Sequence, residues 1–219
     1  MTLPKPKAVI FDWDDTIIDS WGLSLEALNT ALVAMGHAPW SDAEARRRAG
    51  PSARDLFQQM FGDRWQEADK IFFEKLTQMF SKHVPIHAHA EDVLKTLAGH
   101  KIYMAVVSNK RGPLLRTEAA HIKFDRYFGR IVGAGDATAD KPDPAPVHLA
   151  LHGSGIAAGA DVWFIGDSHT DMLCAANARC TALLLETKPP PEEMLAKNPP
   201  LRRFRKHSDL MEFIKTCFT

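Results

Sequence analysis

The chain has 219 residues, of which 45% are hydrophobic and 25% charged, a composition typical of a globular protein with a sizeable core. Its 27 basic residues balance 27 acidic residues, so no overall charge favours a nucleic acid or an anionic membrane as a partner. The opening residues MTLPKPK lack the apolar segment of a signal peptide, and no apolar run reaches transmembrane length. Three cysteines without metal-site spacing favour free thiols in a reducing compartment, so we expect a cytoplasmic protein. We also expect a monomer or a homodimer.

Short apolar runs predict the strands of a parallel sheet. Residues 8–11 and 162–165 end at or beside a carboxylate, and residues 102–107 end at Ser108. Continuous apolar runs of this length are typical of strands that are buried on both faces. Two shorter runs, at 131–132 and 182–185, predict two further strands.

Helical patterns alternate with these strands, at residues 91–97, 113–121, 144–152, 168–178 and 209–216. This alternation predicts an α/β fold, with a Rossmann-like parallel sheet core and helices on both faces. We interpret KPPPEEMLAKNPP (188–200) as a loop. The basic runs RRR (46–48) and RRFRK (202–206) are interpreted as solvated faces.

The stretch from Asp19 to Val84 contains no convincing strand. Its apolar residues recur at helical spacing, for example Leu25, Leu28 and Leu32. Glycines and prolines divide it into several helices, at Gly36, Pro39, Gly50, Pro51 and Gly62. We therefore predict a helical domain of residues 19–85 inserted into an α/β core of residues 1–18 and 86–219.

The sequence AVIFDWDDTIIDS (8–20) runs from four apolar residues directly into three carboxylates within four positions, beginning at Asp12. Neighbouring anions repel, so such a cluster indicates a solvated loop or a site where a cation or a phosphate offsets the charge. Ser108, Lys141 and Asp167 also follow predicted strands, and in an open α/β sheet ligands bind beyond these carboxyl ends. Carboxylates, a lysine and a hydroxyl at one edge indicate magnesium-assisted phosphoryl transfer.

At these positions the sequence resembles the haloacid dehalogenase superfamily of phosphotransferases, and all four of its motifs are present in order. They are DWDDT (12–16), Ser108 of VVSNK, Lys141 of DKPDP, and GDSHTD (166–171). The insertion resembles the helical cap of the phosphoglycolate-phosphatase-like branch, and GPSARDL (50–56) resembles the substrate-specificity loop of that branch. The resemblance implies a Mg²⁺-dependent phosphatase that acts on a small phosphorylated metabolite.

The resemblance also implies roles for the residues that contact the phosphoryl group. Asp12 attacks phosphorus to give an aspartyl-phosphate. Asp14 protonates the leaving alkoxide and then activates water, as an acid and then a base. Ser108, Asn109 and Lys141 hold the phosphate oxygens while charge shifts in the transition state.

For the metal, the resemblance implies that Asp12, the backbone carbonyl of Asp14, and Asp167 hold Mg²⁺. Asp171, one turn along the following helix, is expected to orient these ligands from behind. In the cap, Arg54 is expected to reach an anionic group of the substrate when the cap closes. The competing interpretation is that Arg54 pairs with Asp55 or Glu44 on the surface.

The sequence departs from the family pattern in two segments. Asp15 stands where glycine is commonest, which predicts a left-handed turn that aspartate tolerates. His87 and Ala88 replace the usual Pro-Gly where the chain returns from the insertion. The histidines His83, His87 and His89 are compatible with a transition-metal site, but no partner cluster is evident in the sequence, and the segment is better interpreted as a hinge.

Rival functions can be separated by residue type. A dehalogenase of this superfamily lacks the second aspartate, whereas Asp14 is present. A mutase of the β-phosphoglucomutase type uses a histidine early in the cap, where Ser24 and its neighbours offer none. A phosphonatase needs a Schiff-base lysine near the specificity loop, and Lys70, Lys75 and Lys82 lie elsewhere. A catalytically silent binding protein on the same fold remains an alternative.

Overall fold

The computed structural model describes residues 3, 5–48, 53–186 and 192–218, and its described strands form one parallel sheet. The strands are β1 (Ala8–Phe11), β2 (Tyr103–Arg111), β3 (Arg130–Ala134), β4 (Val162–Gly166), β5 (Thr181–Leu185) and β6 (Arg202–Phe204). Their order across the sheet is β3-β2-β1-β4-β5-β6. The central strand β1 lies between β2 and β4, with Phe11 beside Val106 and Ile165. The predicted α/β fold with a parallel sheet is therefore confirmed.

Among the described residues, four α-helices follow β1 before the helix that leads into the next strand. They are α1 (Trp21–Ala34), α2 (Asp42–Arg48), α3 (Ala53–Phe61) and α4 (Trp65–Phe80). The helices of the sheet region are α5 (Ala90–Gly99), α6 (Gly112–His121), α7 (Ala145–Leu151), α8 (His169–Asn177), α9 (Glu192–Leu195) and α10 (His207–Thr216). None of the described helices is long and apolar enough to cross a membrane.

The alternating residues of β1 explain why this short strand is entirely apolar. Ala8 and Ile10 belong to an apolar cluster with residues of α7 and α8. Val9 and Phe11 belong to a second cluster with residues of α5 and α10. Since successive side chains of a strand point to opposite faces, both faces of the sheet are covered by helices.

The helices between β1 and α5 have apolar clusters of their own. Helix α4 packs against α1 and α3, and fully buried Phe57 belongs to one of these clusters. The two chain segments that join these helices to the sheet are bonded to each other. The amide of Asp19 donates to the carbonyl of Pro85 at 2.9 Å, and the amide of His87 donates to that of Ile17 at 3.1 Å.

The sequence interpretation of the two basic runs was wrong in part. Residues 202–204 form β6, because Phe204, only 7% exposed, packs against Phe213 with 5.2 Å between ring centroids. In the other run, the Arg46 guanidinium lies 4.4 Å from the centre of the Trp21 ring. The Arg46 side chain thus covers aromatic surface as well as facing water.

Three further segments differ from the sequence interpretation. Residues 192–195 of the predicted loop form α9, which buries Leu195. Strand β2 continues past residue 107 to Arg111, with a register shift, so Ser108 lies within an irregular strand extension. Residues 50–52 of GPSARDL lie outside the described residues, and Arg54 lies in the first turn of α3 and not in a loop.

Candidate active site

The carboxyl ends of β1, β2 and β4 meet the loop after β3 at one edge of the sheet. A cleft of about 220 Å³ opens there, between this edge and helices α1, α3 and α4. The sheet side of the cleft includes six of the residues singled out in the sequence, namely Asp12, Asp14, Ser108, Asn109, Lys141 and Asp167. The helical side includes Trp21, Ser24, Ala53, Phe72, Phe73 and Leu76. Residues from distant parts of the chain therefore lie together at this cleft, as their positions near the predicted strand ends indicated.

Lys141 joins two carboxylates at the base of the cleft. Its Nζ donates to Oδ1 of Asp12 at 2.7 Å and to Oδ1 of Asp171 at 2.6 Å. The ammonium group is buried, and burial opposes its charge, but the two carboxylates outweigh burial and raise the pKa of Lys141. We call Asp12, Lys141 and Asp171 the first triad.

The start of α8 fixes the position of Asp171. Ser168 caps this helix, and the Asp171 carboxylate accepts hydrogen bonds from the amide and the hydroxyl of Ser168, at 3.0 and 2.6 Å. A side chain at Gly166 would overlap the Asp171 carboxylate, so glycine is required at the end of β4. Asp171 is fully buried and shares the Lys141 ammonium group with Asp12.

A third carboxylate makes the base of the cleft strongly negative. Oxygens of Asp12, Asp167 and Asp171 lie within 4.8 Å of one another, and Lys141 forms ion pairs with Asp12 and Asp171. Burial, opposed by Lys141 and reinforced by Asp171, raises the pKa of Asp12 to about 7. Burial and the charges of Asp171 and Asp12 raise the pKa of Asp167 well above its ordinary value. This crowding of oxygen ligands with surplus negative charge fits a hard divalent cation.

Asp14 belongs to a second group of charged residues, which the sequence analysis did not identify. Lys110 Nζ donates to Oδ1 of Asp14 and to Oε2 of Glu118, both at 2.7 Å. Trp13 Nε1 donates to the same Glu118 oxygen at 2.9 Å, and Ser20 Oγ donates to Oδ1 of Asp14 at 2.5 Å. We call Asp14, Lys110 and Glu118 the second triad.

Burial dominates the electrostatics of the second triad as well. It raises the pKa of Glu118 to about 7, against the attraction of Lys110. Burial also opposes the charge of Lys110, but Asp14 and Glu118 outweigh it and raise the pKa of this lysine. One sequence signal was available: Glu118 falls on the buried face of α6 with Leu115 and Ala119, where a carboxylate needs a partner.

Ser108 and Asn109 both lie at the cleft, but they differ in what they bind. Ser108 Oγ accepts a hydrogen bond from the amide of Lys110 at 3.2 Å. The Asn109 side chain accepts from the amide of Lys141 at 2.9 Å and donates to the carbonyl of Lys141 at 3.0 Å. Asn109 therefore fixes the loop that carries Lys141.

Arg54 is exposed and is not among the residues that line the cleft. Its Nη2 lies 3.2 Å from the position that a Cβ on Gly135 would occupy, so the side chain reaches the loop after β3. Burial and the nearby Arg54 lower the pKa of Arg111, which forms an ion pair with Asp69 of α4. Among the described residues, no carboxylate forms an ion pair with Arg54.

The turn after Asp14 has the predicted geometry. Asp15 has φ 57°, in the left-handed region, and its Oδ1 accepts a hydrogen bond from the amide of Trp21 at 3.0 Å. The sequence gives no evident partner cluster for the three histidines, whereas the fold brings His87 close to two carboxylates. Ligand atoms of Asp15, Asp19 and His87 lie within 4.8 Å of one another.

Comparisons with known proteins agree with this geometry. The family model of haloacid dehalogenase-like hydrolases matches residues 9–185. The phosphoglycolate phosphatase of Photorhabdus laumondii is 29% identical over 186 residues, which cover 80% of this chain and 77% of that protein. The provisionally named pyrophosphatase PpaX of Caldanaerobacter subterraneus is 28% identical over 214 residues, covering 97% of this chain and 96% of PpaX.

Among solved structures, a HAD-superfamily hydrolase from Ehrlichia chaffeensis is similar over nearly the whole chain. Its TM-score is 0.67 at 28% identity, and the match covers 99% of both chains. The family model matches well over half of this chain, and the motifs of that family lie together at one cleft. The chain therefore belongs to the haloacid dehalogenase-like hydrolase family.

Proposed function

We propose that the protein is a Mg²⁺-dependent phosphatase that hydrolyses a small phosphorylated metabolite through an aspartyl-phosphate on Asp12. The observation that carries this proposal is the placement of Asp12 and Asp14 at one cleft, each bound by its own buried lysine. Lys141 binds Oδ1 of Asp12, and Oδ2 makes no hydrogen bond to the described part of the chain. An ordered carboxylate with one oxygen available is suited to attack phosphorus.

In the first half of the reaction, an Asp12 oxygen bonds to phosphorus as the bond from phosphorus to the substrate oxygen breaks. Asp14 gives its proton to that departing oxygen. In the second half, Asp14 takes a proton from water as the water oxygen attacks phosphorus. Phosphate leaves, Asp12 returns to a carboxylate, and Asp14 is again protonated. Ser108 and Lys141 hold the phosphate oxygens through both steps.

Asp12 and Asp167 supply the side-chain oxygens, and Asp14 a backbone carbonyl, that would hold the metal ion. Bound there, Mg²⁺ would neutralise charge on the phosphoryl oxygens. The three crowded carboxylates support this assignment, because one ammonium group leaves their charge incompletely balanced. Asp171 uses its oxygens on Lys141 and Ser168, so we propose that it orients the site without binding the metal.

The substrate is proposed to be a small phosphomonoester of the phosphoglycolate type, with a second anionic group. A cleft of about 220 Å³ limits its size. Arg54 and Arg111 bring two guanidinium groups to the border of the helices and the sheet, where a carboxylate or a second phosphate would be attracted. The two relatives described above carry different substrate names, so relationship alone does not choose between these groups.

The alternatives of a mutase and of a silent binding protein are less well supported. Ser24, where the mutase resemblance requires a histidine nearby, lines the cleft and cannot act as an acid or base. A silent binding protein would not need both aspartates to be held by buried lysines.

We also propose that residues 19–85 form a cap that closes over a core of residues 1–18 and 86–219. The paired backbone segments at 17–19 and 85–87 support this division, because they are the connections between the two parts. The three free thiols support a reducing compartment, and we place the protein in the cytoplasm.

The test is hydrolysis of p-nitrophenyl phosphate in Mg²⁺, followed by a screen of phosphorylated metabolites that includes phosphoglycolate, pyrophosphate and hexose phosphates. We expect phosphate release from p-nitrophenyl phosphate and the highest kcat/KM for a small monoester with a second anion. Isomerisation of a hexose phosphate without net phosphate release would indicate the mutase. Absence of turnover, with the metal content verified, would indicate the silent binding protein.

A further inference from the structure

Lys110 has an unusual position for a lysine. Its side chain is 3% exposed, and its Nζ lies between Asp14 and Glu118 and 4.2 Å from the centre of the Phe80 ring, at the end of α4. Isolated buried charges are costly, and even a buried ion pair is seldom more stable than well-packed apolar residues of the same size. Stability alone is therefore a weak reason for a lysine at this position.

The two carboxylate oxygens of Asp14 differ in the hydrogen bonds that they accept. Lys110 Nζ and Ser20 Oγ both donate to Oδ1, at 2.7 and 2.5 Å. Oδ2 receives no hydrogen bond from the described residues, and Asp14 lines the cleft with 28% of its side chain exposed. One oxygen of the carboxyl group is thus fixed to the protein, and the other is left for the substrate.

Glu118 fixes Lys110 in turn. Its Oε2 accepts hydrogen bonds from Lys110 and from Trp13, and its side chain is 2% exposed. Trp13 stands between the two cleft aspartates in the chain and is fully buried. The network therefore runs from α6 through Lys110 to Asp14 and is anchored a second time on the segment that carries both aspartates.

We propose that Lys110, supported by Glu118, is a positioning residue that fixes Asp14 with Oδ2 directed at the leaving-group oxygen of the substrate. The proposal rests on the proposed phosphatase reaction and extends it to two residues that lie outside the four motif positions. Proton donation matters most when the leaving group is a strongly basic alkoxide and little when it is a stable phenolate. The fall in kcat/KM when Asp14 is no longer positioned should therefore depend on the leaving group.

The experiment compares kcat/KM for glycerol 2-phosphate and 2,4-dinitrophenyl phosphate, with wild type, Lys110→Met and Glu118→Gln. This ratio reports the steps up to transfer of the phosphoryl group to Asp12. We expect Lys110→Met to lose about 30-fold or more with the alkyl ester and less than about threefold with the dinitrophenyl ester. Glu118→Gln keeps the volume and an acceptor for Trp13, and a smaller loss with the same substrate dependence is expected.

A double-mutant cycle separates action through Asp14 from direct action on the substrate. In an Asp14→Asn background, Lys110→Met should cost nothing further, because the group it positions is already absent. Lys215→Met, which removes an exposed lysine paired with Glu212 on α10, is the matched control and should leave both substrates unaffected. An additive loss in the Asp14→Asn background would overturn the proposal, because Lys110 would then act on the substrate directly.

Equal losses with both substrates, or no loss with either, would also overturn it. If Lys110→Met does not fold, the double variant Lys110→Met with Glu118→Gln provides the same comparison, because it leaves no buried charge without its partner. If wild type hydrolyses neither ester in Mg²⁺, the proposed function fails, and the role of Lys110 is overturned with it. A wild type that hydrolyses both esters, with variants that show no leaving-group dependence, would refute the role of Lys110 alone.

Discussion

The two triads have the same plan, a buried lysine between two carboxylates, but they hold the two cleft aspartates in different environments. In the first triad the Asp12 side chain is 9% exposed and faces Asp167 as a further carboxylate. In the second triad the Asp14 side chain is 28% exposed, and Ser20 adds a donor to it. Asp12 is therefore surrounded by surplus negative charge. Asp14 is hydrogen-bonded to the protein at Oδ1, and its Oδ2 is open to the cleft.

This difference matches the two tasks that we propose. A nucleophile must remain ionised, and a divalent cation beside the first triad would keep Asp12 ionised and offset the crowded carboxylates. A group that gives and takes a proton must reach the leaving group and then water, which requires partial exposure. The predictions below test whether the two triads are as different as their geometry indicates.

The largest effect is expected from Asp12→Asn. Turnover should be abolished, because the amide does not attack phosphorus, while the far-ultraviolet circular dichroism spectrum stays unchanged. The variant should also unfold at a higher temperature than wild type without metal, because one of the crowded carboxylates is gone. Asp161→Asn, at the opposite end of β4, is the matched control and should be fully active. Normal turnover by Asp12→Asn would contradict the assignment of the nucleophile to the first triad.

Metal removal is expected to act through the first triad. Activity should be lost in EDTA and restored by Mg²⁺, and Mg²⁺ should raise the unfolding temperature of wild type more than that of Asp167→Asn. Ca²⁺ should inhibit, because a larger ion accepts more ligands and would engage both oxygens of Asp12. Undiminished turnover in EDTA, with the metal content verified, is incompatible with this account.

The sequence predicted the site to the extent that strand ends determined it. Asp12 and Asp167 follow β1 and β4, Ser108 lies in the irregular extension of β2, and Lys141 lies in the loop after β3. These positions share one edge of the sheet, so their convergence required only the strand assignment. The second triad was missed because its members are joined by the path of β2 beyond residue 107 and by the packing of α6. Such contacts depend on tertiary structure and leave no regular spacing in the sequence.

The fold shows the same limit. Strands with continuous apolar runs were predicted well, because burial on both faces of the sheet dictates their composition. Strand β6 was missed because RRF has only one buried side chain, Phe204, and its pairing with β5 comes from backbone contacts. Arg54 was expected in a loop, whereas α3 begins at Ala53.

A smaller effect is expected from Arg54, at the border of the helices and the sheet. Arg54→Ala should lower kcat/KM about tenfold or more for the best small dianionic substrate and spare p-nitrophenyl phosphate, which has no remote anion. Arg64→Ala, which removes an exposed arginine paired with Glu67, is the control and should leave both substrates unaffected. Equal small effects of Arg54→Ala on the two substrates would show that Arg54 is a surface residue that does not bind the substrate.

The smallest effect concerns stability beneath the segment that carries both aspartates. Nε2 of His207 donates to the carbonyl of Thr16 at 2.7 Å, and burial, against this hydrogen bond, lowers the pKa of His207 from 6.5 to about 4. The unfolded chain therefore binds a proton more readily, and the free energy of unfolding should fall by about 2 kcal/mol between pH 7 and pH 5 from this residue.

Urea unfolding at the two pH values measures this effect. His207→Gln keeps a donor and should remove that part of the pH dependence, whereas His121→Gln, at an exposed position, should retain it. An unchanged pH dependence in His207→Gln would show that the imidazole does not contribute as its burial indicates.

The most direct test of Asp12 as nucleophile and Asp14 as acid and base is detection of the aspartyl-phosphate in the Asp14→Asn variant. This variant should slow turnover by roughly 100- to 10,000-fold, because both half-reactions lose their proton-transfer group. With 2,4-dinitrophenyl phosphate, whose leaving group needs no proton, Asp12 should be phosphorylated faster than the aspartyl-phosphate is hydrolysed. Acid quenching and peptide mass spectrometry should then find one phosphoryl group on the peptide that contains Asp12, labile to hydroxylamine and absent when Asp12→Asn is added. A phosphoryl group on another residue, or none during measurable slow turnover, would contradict the account.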